Sequence, residues 1–216
     1  MSTNYENSKV HQTRNLTSLI ANLFCSAMVL TSVDAISSER KNWNIRTQQD
    51  NITVHTRNVE NSNIDAFKAS TVIGAHYEKV KEVILDYPNY PFWYEDYDSG
   101  EVLKQLNQEE FIVRFVIDAP FPFKDRDSVN RVLIQETDNF VKIVLESLST
   151  YAPPTKKHIR MFVSSGHWKL EKQDNQTRVT LEYHADPRIP IPSWISNRYI
   201  VQGPAKSLAN LRKNLE

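Results

Sequence analysis

A chain of 216 residues has room for one domain, or for one domain behind a leader, and its 40% hydrophobic content can bury a core, which excludes global disorder. Its 26 basic and 26 acidic side chains cancel, so no bulk attraction to nucleic acid is expected, and four glycines exclude a collagen-like chain. The one cysteine, Cys25, excludes an intramolecular disulfide and a thiolate-rich zinc site.

Residues 16–30 (LTSLIANLFCSAMVL) are the most apolar stretch, with Lys9 and Arg14 upstream and Ser32-Val33-Asp34-Ala35 downstream. A basic flank, a short apolar run and a small-residue site describe a secretory signal peptide, with cleavage predicted after Ala35. The export motor needs a run that partitions into lipid, and the peptidase grips small side chains. An uncleaved membrane anchor is the rival reading, although ~20 apolar residues are normally needed to span a bilayer. An ordinary N-terminal helix is the plain one, and the bulky Phe24 before Cys25 argues against a lipoprotein. Residues 1–35 are therefore read as a leader and 36–216 as the mature domain. That domain has no cysteine and stays neutral, because the leader removes two charges of each sign (Lys9 and Arg14, Glu6 and Asp34).

Residues 43–46 read as a short helix or an ordered arm, followed by strand-like runs over 52–57 and 64–75. In residues 76–85 the period changes: Tyr77, Val80 and Ile84 recur at helical spacing. Tyr87-Pro88-Asn89-Tyr90-Pro91 ends that helix, because proline cannot continue it. Strands are predicted over 101–106, 110–118, 128–136, 140–147, 158–172 and 177–184. Within 110–118 the odd positions are apolar while Arg114 and Asp118 hold even ones, the pattern of an antiparallel strand with one buried face. Ser193 is read as the N-cap of a helical stretch to Leu215, with a bend expected at Gly203-Pro204. Strands, a short helix, a meander and a long C-terminal helix make an α+β fold.

Five pieces in this order resemble START (steroidogenic acute regulatory protein-related lipid transfer) domains. Asn89-Tyr90-Pro91-Phe92-Trp93 is similar to a turn frequent there, and Pro120-Phe121-Pro122-Phe123-Lys124-Asp125-Arg126-Asp127 to its proline-aromatic segment ending in Arg-Asp. Trp43 with residues 52–57 and 67–69 resembles the opening strands, and Gly166-His167-Trp168-Lys169-Leu170 a later one. Asp186-Pro187 through Asn197 resembles the approach to the final helix. The resemblance implies a helix-grip fold, a curved antiparallel sheet around a long C-terminal helix, and a cavity for a lipid or another apolar molecule bound without catalysis or cofactor. It departs at Asp186-Pro187-Arg188, where many members carry Gly-Gly. Of the buried acid–arginine pair that anchors ligands in some members, only Arg131 lies near the expected place, one residue out of register.

Candidate cavity residues are Phe111, Phe115, Trp168, Tyr183 and Tyr199, with plain core packing as the alternative for each. Phe121 and Phe123 are read as an aromatic lip at the tunnel mouth, in transient contact with a membrane surface, or else as a cap on the core. Arg126 is read as a structural ion pair with a flanking acid, Asp127 foremost. The histidines are scattered and no metal is expected. His184 with Asp186 is the one candidate acid–base pair, and related helix-grip proteins include cyclases and hydrolase-like enzymes acting on aromatic or polycyclic substrates. A third alternative is an envelope sensor or adaptor with a filled interior. The leader on a lone domain points to a bacterial periplasmic or secreted protein.

Overall fold

The structure, a computed structural model, describes residues Trp43–Glu216; the predicted leader and Cys25 lie outside them. The first described element is a strand, β1 (Asn44–Gln49), where a helix or arm was expected. It forms a hairpin with β2 (Ile52–Arg57) across the two-residue turn Asp50-Asn51. Both turn residues have positive φ, 51° and 59°, the backbone that tight hairpins demand and that Asp and Asn tolerate. β1 shows no apolar period because it is a mostly exposed sheet edge.

β3 (Ala66–Ile73) pairs with β2, and α1 (Tyr77–Leu85) buries Val80 and Ile84. The proline-rich stretch forms a 3-10 turn, Tyr87–Phe92, instead of a bare stop. A meander follows: β4 (Tyr97–Gln105), β5 (Glu110–Ile117), β6 (Arg126–Glu136) and β7 (Phe140–Ser147). The run expected over 158–172 is broken into β8 (Ile159–Arg160), parallel to β6, and β9 (Val163–Gln173). β10 (Gln176–Asp186) pairs with both β9 and β3. The main sheet order is β1-β2-β3-β10-β9-β7-β6-β5-β4, antiparallel throughout, so the fold is α+β of the helix-grip type.

The C-terminal segment comprises α2 (Ser193–Asn197), a π-helical turn (Arg198–Gln202) and α3 (Gly203–Leu215). Ser193 is not the cap; Pro192 holds that position, without a side-chain cap bond. The interruption expected at Gly203-Pro204 takes the form of the π-turn. Pro204 brings no N–H to the helix, and Gly203 N–H reaches back to the Arg198 carbonyl. α3 buries Pro204, Ser207, Leu208 and Leu211 on one face. It packs against β2 and β3. It also grips the chain beyond the 3-10 turn. Ser207 Oγ accepts from Glu95 N at 3.0 Å, Asn210 Nδ2 donates to Trp93 O at 3.0 Å, and Lys206 pairs with Glu95 at 2.8 Å.

Candidate functional site

Between the sheet and this C-terminal segment lies a pocket of about 170 Å³. Register determines its walls. Phe115 and Ile117 on β5 stand opposite Ser128 and Arg126 on β6, and all four face inward. β9 contributes Ser164 and Trp168, β10 contributes Leu181, Tyr183 and Ala185, and Phe67 of β3 completes that side. Ile195, Tyr199, Ile200 and Pro204 form the roof. The base is aromatic. Tyr90 lies against Trp93, Tyr94 and Tyr97, with ring centroids 4.6–5.6 Å apart, and Trp93 is 6.1 Å from Trp168. Such rings bury large area and, in edge and offset arrangements, contribute beyond it.

Phe115, Trp168, Tyr183 and Tyr199 thus come together at one pocket. Phe111 does not. It shares a face with Phe115, but four residues along a strand is ~13 Å, and there it packs against the core instead. Tyr94, Tyr97, Ser128, Ser164, Ile195 and Ile200 were missed. Extending the alternation from Phe115 across to β6 would have found Ser128, and the Tyr90-Tyr94-Tyr97 spacing hinted at the base.

Polar groups inside are few. Tyr183 Oη bonds Ser164 Oγ, whose backbone carbonyl accepts from Asn130 Nδ2. Burial pushes the Tyr183 phenol up to about 12, so it stays protonated. Gly166 lies beneath this ring. A Cβ there would meet Tyr183 Cδ2 at 2.4 Å and the Glu182 carbonyl at 2.1 Å. Tyr199 Oη donates to the Asp118 carbonyl, fixing the roof to the loop after β5. In that loop Phe121 is 96% exposed, and Phe123 meets Trp194 of α2 with rings 6.4 Å apart.

The expected pairing of Arg126 with Asp127 is overturned. Adjacent residues on a strand point to opposite faces, so the two cannot meet. Asp127 is fully buried on the outer face, where Arg160 Nε and Nη2 donate to it at 3.0 and 2.8 Å and Arg114 Nη2 at 3.0 Å. The two guanidiniums hold its carboxyl below the usual range despite the opposing effect of burial. Arg160 also donates to the carbonyls of Ser149 and Ala152, tying the β7–β8 loop to this cluster. The outer face of β5 is buried too at Ile112 and Val116, where one buried face was predicted. Arg131, one residue out of register, pairs with Glu110 and Glu146 on the outside.

His184 and Asp186 do not form a pair. Both turn away from the pocket and hold Ser62: His184 Nε2 lies 3.2 Å from Ser62 Oγ, which donates to Asp186 Oδ2 at 2.7 Å. At the departure Asp186-Pro187-Arg188, Asp186 Oδ1 accepts from Arg188 N at 2.6 Å, and Arg188 itself takes a positive φ of 56°. Among the described residues no cluster of three or more His, Cys, Asp or Glu is placed to hold a metal, and no helix is long and apolar enough to cross a membrane.

The START domain family matches residues 26–216. The chain belongs to that family. This START domain is similar to the STAR-related lipid transfer protein of Xanthomonas axonopodis, with 28% identity, 81% of this chain and 98% of that one covered, and a TM-score of 0.73. It is 29% identical over 178 residues to the uncharacterized protein PA1579 of Pseudomonas aeruginosa, covering 82% of this chain and 88% of the relative. Human StAR-related lipid transfer protein 5 shares the fold, with a TM-score of 0.73 at 14% identity over 89% of this chain and 96% of that one.

Proposed function

We propose that this START domain binds a lipid or sterol-like molecule in its pocket and carries it without transforming it. The observation that carries the reading is a lining of aromatic and aliphatic side chains closed over by the C-terminal segment. Each methylene transferred from water to such a lining contributes about 0.8 kcal/mol, so one long chain can hold itself there. The likeness to proteins described as lipid transfer proteins supports the same reading. An enzyme on an aromatic or polycyclic substrate calls for paired titratable groups facing the substrate. Here His184, Asp186 and the Asp127 cluster turn to other faces, and no two of the lining's Arg126, Asp65 and Glu95 pair with each other, which favours carriage.

Transient docking on a membrane goes with this role. Phe121, Phe123 and Trp194 offer exposed rings beside the roof, and Lys124 stands among them. Export is part of the proposal: residues 1–35 direct the chain to the periplasm or outside, and cleavage after Ala35 leaves 36–216. Intact-mass analysis of the exported protein should give a chain starting at Ile36; a chain starting at Met1 contradicts it.

Filling the pocket tests the binding. Ala185 lines it without filling it, so Ala185→Trp should abolish uptake of a fluorescent sterol or acyl probe while leaving the circular dichroism spectrum unchanged. Undiminished uptake by the folded variant would place the ligand elsewhere.

A further inference from the structure

Arg126 stands at the end of the pocket bounded by the β5–β6 loop, and it is only 7% exposed. Its Nη1 is buried without any hydrogen-bond partner, and it makes no ion pair with any described residue. No nearby described acid hydrogen-bonds or ion-pairs with it, although the Asp125 carboxylate favours its charge from a distance. Asp127 lies on the opposite face with Arg114 and Arg160. Asp125 Oδ1 accepts from Ala119 N at 2.9 Å, and Glu95, also on the lining, is held by Lys206. Asp65 is the remaining lining carboxylate and belongs to the segment before β3, across the sheet from β6. Beside Arg126, Ser128 offers a hydroxyl on the same wall.

A guanidinium remains charged in proteins, and burying a charge without a partner is costly. A lipid-binding pocket would be better lined by a methionine or leucine at this position unless the ligand supplies the missing charge. We propose that Arg126 is the head-group anchor of the pocket, and that the ligand is an amphiphile whose carboxylate or phosphate oxygens take the guanidinium donors. The planar fork of arginine suits either oxyanion, through two parallel hydrogen bonds. The tail then runs along β6 past Ser128 toward Leu145 and Trp168, and the head stays beside the loop that carries Phe121 and Phe123. This rests on the pocket being the ligand site, and it adds the chemical class of the ligand.

The test compares three probes with one acyl chain, oleate, oleoyl lysophosphatidate and oleyl alcohol, with inorganic phosphate as a fourth. Affinities are measured on the full chain and on Arg126→Met and Arg126→Lys. The wild type should bind one or both anionic lipids at least about tenfold more tightly than the alcohol, the gain expected of charge-assisted hydrogen bonds. Oleate and lysophosphatidate distinguish carboxylate from phosphate. Arg126→Met should lose that preference while still binding the alcohol, and Arg126→Lys should keep part of it. Equal binding of all three lipids by the wild type, or an unchanged preference in Arg126→Met, would overturn the anchor and leave the pocket intact. Binding of inorganic phosphate as tight as that of the lipids would overturn the amphiphile. Failure of every lipid to bind would overturn the anchor and the carrier reading together.

Discussion

Arg126 and Arg160 are equally buried, each 7% exposed, and lie on paired strands, yet they differ in every contact. Arg160 donates to both oxygens of Asp127 and to the carbonyls of the β7–β8 loop. Arg126, on the other face of the same sheet, has a buried donor with nothing to meet. A satisfied buried arginine holds a loop against the fold. An unsatisfied one facing a pocket holds a place for something else.

The first way to break this comparison is to remove the shared acid. Asp127→Ala leaves Arg160 and Arg114 with uncompensated charge and should cost about 3–5 kcal/mol in urea unfolding. A loss below 1 kcal/mol would mean that the outer cluster is not structural. On the inner face the sign should reverse. Arg126→Met removes an unpaired charge and should leave stability unchanged or raise it by about 1 kcal/mol, read as the urea midpoint. A large loss would show that Arg126 has a structural partner after all.

A smaller effect separates the faces by pH. His167, beside the inward Trp168, faces outward, and burial with Lys142 and Lys169 nearby depresses it to about 4. The folded state therefore disfavours the proton. His167 contributes no penalty above its ordinary value near 6.5, and stability is lost as pH falls from there toward 4. His167→Gln should flatten that slope by on the order of 1 kcal/mol between pH 7 and 4. An unchanged slope would mean that the ring ionises freely in the folded protein.

Much of this arrangement was legible in the residues. Alternation marked residues 52–57 and 140–147 as β2 and β7 with their bounds unchanged, and the helical period marked α1 to within a residue. Four of the five aromatics proposed for the cavity share one pocket, three on inward faces of β5, β9 and β10 and one on the roof. Phe111 failed because periodicity gives the face of a residue but not its depth along the strand. β1 escaped because an exposed edge strand carries no apolar period, although Asp50-Asn51 announced the turn. Arg126 was misread for another reason: neighbours in sequence were taken as neighbours in space, where a strand turns them apart. The tie between Asp127 and the β7–β8 loop could not be read locally, since it runs through Arg160, more than 30 residues away.

The central claim is that the pocket carries an amphiphile, and native mass spectrometry of the purified full chain, followed by extraction and identification of what accompanies it, tests it most directly. The account predicts a stoichiometric adduct that can be extracted, bears a carboxylate or phosphate group, and is absent from Ala185→Trp. A protein that carries no adduct and takes up none from a total lipid extract of the same cells would contradict it.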